Sequence, residues 1–172
     1  MKNWHIGLLV AACVFLIDQA AKYYVTGPLG LNVQDASLTV LPIFDLRFIK
    51  NDGVSLGLLP AGGGATMRWL LVLLTGGIAA GVLWWMLREK KRPDVAALGL
   101  VLGGALGNIL DRTRLGYVVD FADLHFGTWR PFLVFNVADA AITIGVLILL
   151  IRALFVRDKA GQAPAVENEV NA

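Results

Sequence analysis

Four stretches of this chain are apolar for about the thickness of a membrane, and this constrains its fold more than any motif does. A spanning helix needs about 20 mostly apolar residues. The segments 4–25, 67–87, 95–111 and 135–155 reach or approach that length. The expected fold is therefore an all-α membrane protein, a four-transmembrane-helix bundle with a small β-rich outer subdomain in its longer loops. Composition agrees. Of 172 residues, 57% are hydrophobic and 16% charged, well below the roughly 25% charged residues of soluble domains. A net charge of +2 gives no basis for a nucleic-acid partner. The single cysteine, Cys13, lies within an apolar run, which excludes an internal disulfide framework and argues against a metal cluster.

Orientation follows from basic residues close to the helix ends. Arg88, Lys90, Lys91 and Arg92 crowd the short link between the second and third helices, Lys2 precedes the first, and Arg152, Arg157 and Lys159 end the fourth. Positive-inside bias puts this link and both termini in the cytoplasm. Loops 26–66 and 112–134 then face outward. Alternation in the latter half of Leu38 to Lys50 predicts short strands in the first of these loops. Ala61-Gly62-Gly63-Gly64-Ala65 reads as a flexible link. Residues 1–157 are expected to form one domain, and 158–172 a polar, disordered cytoplasmic tail. The third helix carries Gly99, Gly103 and Gly107 at four-residue spacing, a face that permits close helix packing.

The polar residues of the helices converge on one depth. The first and third helices run outward and carry Asp18 and Lys22, and Asn108 with Asp111 and Arg112, near their C-terminal ends. The fourth runs inward with Asn136 and Asp139 near its N-terminal end. At about 1.5 Å rise per residue, Asp139 lies roughly 6 Å inside a boundary placed at Phe135. Asp120 precedes it in Val118-Val119-Asp120-Phe121. The second helix, without an ionisable residue between Arg68 and Arg88, reads as scaffold. A carboxylate at the edge of hydrocarbon is costly to desolvate and is by default a functional-site hypothesis; two suggest an acid and a base acting as a pair.

Structural alternatives stand beside each of these readings. Asp18 and Lys22, four apart on one helix face, can simply neutralise each other. Asn108 can pair with Arg112 in the same way, and Asn136 can cap the fourth helix. Asp120 and Asp139 can be an interfacial cap or a proton relay. A small transporter or proton-relay protein is the alternative of a different class, although it would be expected to distribute ionisable residues across the membrane depth, and the inner halves of these helices have none.

Five blocks in order resemble the lipoprotein signal peptidases (signal peptidase II), bacterial inner-membrane aspartic endopeptidases. They are Asp18-Gln19-Ala20-Ala21-Lys22, Asn51-Asp52-Gly53-Val54-Ser55-Leu56-Gly57, Gly103-Gly104-Ala105-Leu106-Gly107-Asn108-Ile109-Leu110-Asp111-Arg112, Val118-Val119-Asp120-Phe121 and Phe135-Asn136-Val137-Ala138-Asp139-Ala140. The resemblance implies cleavage on the amino side of a diacylglyceryl-modified cysteine in a prolipoprotein signal peptide. It implies Asp120 and Asp139 as the catalytic pair, with Asn51, Gly53, Asn108, Arg112 and Asn136 positioning substrate or holding the dyad; Asp18, Lys22 and Asp111 are expected to be structural polar support. No metal or cofactor is implied. The implied partners are diacylglyceryl-modified prolipoproteins, membrane lipid and globomycin-type cyclic peptide inhibitors. The chain departs from the family's usual residues at Asp52, where Thr or Arg is commoner, and at Leu56, where Phe is. Both departures bear on substrate packing.

Other protease classes lack their signatures. Gly53-Val54-Ser55-Leu56-Gly57 matches a serine-hydrolase elbow with His125 as a base, but that elbow requires a strand-to-helix turn in an α/β sheet this chain does not encode. A His-Glu-x-x-His helix is absent from a chain with only His5 and His125.

Overall fold

The structure, a computed structural model, describes residues 3–53 and 64–155. Helix α1 spans Trp4–Thr26, α2 Gly64–Arg88, α3 Arg92–Arg114 and α4 Val137–Phe155. All four are long and apolar enough to cross a membrane, as their composition requires. Strands β1 (Ser37–Leu41), β2 (Phe44–Asn51) and β3 (Val118–Leu124) form an antiparallel sheet in the order β1-β2-β3. Ser55 and Leu56, most of the glycine link and the tail lie outside the described residues.

Helix α3 is the centre of the bundle, packing on α1, α4 and α2. Its glycines explain how three neighbours approach it. A Cβ on Gly99 would stand 2.5 Å from the Gly7 carbonyl oxygen, and one on Gly103 equally close to that of Ala11, so this row of the helix lies directly on the α1 backbone. Gly104 points the other way, where a Cβ would stand 2.5 Å from the Ala138 carbonyl oxygen of α4. Without a hydrophobic force between helices in lipid, such close backbone contact is what holds a bundle together. Toward one end of the bundle Met86, Val95 and Leu98 are fully buried with Ala11, Ala79 and Leu102. Arg152 and Asp94 pair α4 with the start of α3.

The sheet has its own apolar cluster of Val25, Leu31, Phe48, Val119, Phe121 and Ala122, which joins it to the end of α1. Two strands fall within loop 26–66, where alternation predicts them. The third was not anticipated, since 112–134 reads as loop. Every residue of β3 from Val118 to Asp123 is buried, so it lacks the in-out alternation that betrays a half-exposed strand. Helix α4 also begins later than its apolar run. Phe135 is instead bridged to β3, with Ala122 N–H donating to Phe135 O at 2.7 Å and Phe135 N–H to Ala122 O at 3.1 Å. That bridge delivers the next residue, Asn136, to the side of Asp120.

Candidate active site

Asp120 and Asp139 come from different elements, the middle of β3 and the first turn of α4, and two asparagine side chains connect them. Asn136 is the N-terminal cap of α4. Its Oδ1 accepts the Asp139 N–H at 2.9 Å, and Asp139 Oδ2 accepts the Asn136 N–H at 3.3 Å. This reciprocal cap satisfies backbone donors that a helix start otherwise leaves unpaired. The Nδ2 group of the same Asn136 donates to Asp120 Oδ1 at 2.6 Å. Asn136 therefore caps the helix, as the structural alternative read from the sequence has it, and also joins the two carboxylates in one hydrogen-bonded network. Asn108 Nδ2 donates to Asp139 Oδ1 at 2.8 Å, while its Oδ1 accepts from Asn136 at 3.2 Å and from Lys22 Nζ at 3.2 Å. Asn108 thus pairs with Lys22, Asn136 and Asp139 rather than with Arg112.

Asn51, the last residue of β2, donates to Asp120 Oδ2 at 2.9 Å and accepts the Gly53 N–H at 2.8 Å. Gly53 has φ +78°, left-handed backbone that suits glycine, and a Cβ there would run into Leu71 of α2. Arg112 interacts with the charges of Asp139, Asp120 and Asp111. Its buried Nε has no hydrogen-bond partner among the described residues, which leaves a donor free at the edge of the site.

Beneath these residues lies a fully buried ionic cluster. Lys22 Nζ is 2.8 Å from both Asp18 Oδ2 and Asp111 Oδ2. Asp18 does neutralise Lys22 as their spacing suggested, but each carboxylate also holds backbone. Asp18 Oδ1 accepts the Ala138 N–H at 2.9 Å and Asp111 Oδ2 the Val119 N–H at 3.1 Å. Those amides adjoin Asp139 and Asp120 in sequence, so the cluster anchors both backbones that carry the pair. Gln19 Nε2 bridges Asp18 at 3.1 Å and Asp111 at 3.0 Å. Gln19 was missed as a site residue, although a second polar residue directly after Asp18 in an apolar helix is a signal for it.

Asp120 is 2% exposed. Burial, together with the nearby Asp139 carboxylate, pushes its carboxyl up to about 7, against the lowering effect of the Asn51 and Asn136 hydrogen bonds. A proton is therefore retained on this group near neutrality, which a carboxylate pair needs to work as acid and base. Each carboxylate of the pair lines a different cleft. One, of about 630 Å³, is lined by Asp120, Asn51 and basic residues. The other, of about 310 Å³ and almost wholly apolar, is lined by Asp139 and by Ala140, Thr143 and Ile144 of α4. Phe132 and Leu133 line both. His125 lies 3.3 Å from Asp45 at the far end of the sheet.

Four membrane-length helices with a carboxylate pair at their polar ends define a multi-pass membrane protein with the makings of a hydrolytic site. A sequence model of the family described as Signal peptidase (SPase) II matches residues 10–155. A protein of Rhizorhabdus wittichii called Lipoprotein signal peptidase is 59% identical over 153 residues, covering 89% of this chain and 88% of that protein. One of the same name from Sphingopyxis alaskensis is 55% identical over 159 residues, covering 92% and 91%. The fold matches a bacterial membrane enzyme solved by the in meso method at 1.9 Å, with TM-score 0.75 and 28% identity over 88% of this chain and 94% of that one. The chain belongs to the signal peptidase II family and is a signal peptidase enzyme.

Proposed function

We propose that this enzyme is an intramembrane aspartic endopeptidase that cleaves diacylglyceryl-modified prolipoproteins on the amino side of the lipidated cysteine. The observation that carries the reading is the Asn136 link, through which one side chain binds Asp120 while capping the helix turn that carries Asp139. Two carboxylates in one hydrogen-bonded network share a proton and titrate as a unit. The ionised partner takes a proton from a water between them. The protonated partner polarises the scissile carbonyl, and water adds to give a tetrahedral intermediate without an acyl-enzyme. Collapse of that intermediate passes a proton to the leaving amine. Arg112 supplies donors for substrate oxygens, Asn51 and Gly53 shape the border of the site where substrate lies, and Asn108 and Asn136 hold the carboxylates in place.

The protein is proposed to lie in the bacterial inner membrane as one domain, residues 1–157. Both termini, including the polar tail 158–172, are cytoplasmic, and the sheet and the active site lie at the periplasmic face. The basic link Arg88 to Arg92 supports this orientation. Membrane lipid and globomycin-type cyclic peptides are its proposed further partners. The apolar groove on α4 beside Asp139 supports a lipid-dependent reaction, because an acyl chain gains about 0.8 kcal/mol per buried methylene.

The direct test is purified protein incubated with a diacylated prolipoprotein and followed for loss of the signal peptide. The same prolipoprotein without diacylglycerol is expected to be cut far more slowly in the same bilayer. Equal rates would reduce the assignment to a general membrane aspartic protease. The pH profile provides another expectation. The Asp120 carboxyl, held up to about 7, keeps the shared proton below that pH and loses it above. Cleavage is therefore expected to fall as pH rises through about 7. A rate that keeps rising to pH 9 would contradict a monoprotonated pair.

A further inference from the structure

The cleft beside Asp120, whose lining mixes apolar and charged residues, contains a charge arrangement that bond cleavage itself does not use. Its lining includes Arg47, Lys50 and Arg130 as well as Asp120 and Asn51. Arg130 and Arg47 are fixed from behind by one carboxylate, that of Asp123, which is 1% exposed. Arg130 Nε lies 3.1 Å from both Asp123 oxygens, and Arg47 Nη1 lies 3.6 Å from Oδ2. Arg47 is held further by Asp35 at 2.7 Å. The guanidinium side chains nonetheless remain 43% and 32% exposed. Arg130 is bound through Nε alone among the described residues, which leaves both its Nη groups available. Lys50 contacts the ring of Tyr117, 5.2 Å from its centroid. The opposing charges on the cleft are Asp52, which is exposed, and Asp120 at the reacting end.

Building on the peptidase reading, we propose that Arg130 and Arg47 form a subsite for an acidic side chain in the segment of substrate that follows the cut. The cations line the cleft beside Asp120, and the α4 groove that suits an acyl chain lies on the Asp139 side, so the polar mature segment that follows the cut matches the cleft with the cations. A buried carboxylate that fixes two guanidinium groups pre-organises a fork suited to bidentate carboxylate recognition. Asp123 follows Asp120 by three residues of β3, about 10 Å of extended chain. A substrate chain laid extended over that span would present its third residue after the cut to the two guanidinium groups, and this is the position assigned to the acidic side chain.

The test uses the full enzyme and three diacylated prolipoprotein peptides that differ only in Glu, Gln or Lys at the third residue after the cut. The wild type is expected to cut the Glu peptide with kcat/KM about tenfold above the Lys peptide, mainly through KM, and added salt is expected to shrink the ratio. In Arg130→Gln the ratio is expected to approach one, and in Arg130→Glu to invert. The ratio compares substrates on one enzyme preparation, so partial loss of folded protein does not distort it. A wild-type ratio near one, or one left intact by Arg130→Gln, would overturn the proposal. Cleavage of the Gln peptide by the wild type reports on the peptidase reading separately.

Discussion

Asp120→Asn and Asp139→Asn are each expected to lower the cleavage rate by about 10³-fold or more, while leaving a folded, membrane-inserted protein. Amides replace the carboxylates almost isosterically and keep one of the two oxygen acceptors, so one hydrogen bond is lost at each position while the buried ionic cluster and the strand pairing that hold the fold remain. What disappears is the shared proton, and with it both the base that activates water and the acid that polarises the carbonyl. Because the pair works as a unit, the double variant is expected to be scarcely worse than either single one. Single-turnover cleavage of a diacylated prolipoprotein measures this directly. Near-normal turnover in either variant would sink the aspartic mechanism. Parallel assays of Ser55→Ala and His125→Ala, expected to retain substantial activity, separate it from a serine reading.

A comparable loss, by a different route, is expected from Lys22→Leu. The ammonium lies between Asp18 and Asp111, whose side chains are 0% and 4% exposed. Its removal leaves two carboxylates buried without a counter-charge. Breaking a buried ionic cluster in this way costs about 3–5 kcal/mol, a large part of a typical folding free energy. The damage would reach the active site because Asp18 and Asp111 hold the amides of Ala138 and Val119. Thermal unfolding in detergent is expected to show a strongly lowered midpoint. Adding Asp111→Asn to Lys22→Leu is expected to recover part of it by removing one stranded charge. A wild-type midpoint for Lys22→Leu alone would mean that the cluster is solvated rather than buried.

Much of the fold and of the candidate site is legible in the residue order. The four apolar runs demand spanning helices because hydrocarbon leaves few alternatives, and observed helix ends differ from expectation by only a few residues. The glycine row on α3 announces close packing, since only a missing Cβ allows the α1 backbone so near. Polar residues within apolar helices stand out because each is costly there, so Asp18, Lys22, Asn108, Asn136 and Asp139 could be singled out and assigned one depth from helix direction alone. Partner choice is another matter. Residue order gives Lys22 a neighbour in Asp18, but not its second carboxylate, Asp111, 89 positions away. It suggests Arg112 for Asn108, where the folded chain selects Lys22, Asn136 and Asp139. Nor does it reveal β3, whose two-sided burial erases alternation, or the bridge from Ala122 to Phe135 that brings Asn136 to Asp120. Helices in a membrane are set by local composition and hydrogen bonds within each segment, so the sequence alone determined the spans and the shared level of the bundle at which their polar groups gather. Which of those groups meet depends on how α3 rotates between its neighbours and where the sheet closes against α4, and only the tertiary structure decided that.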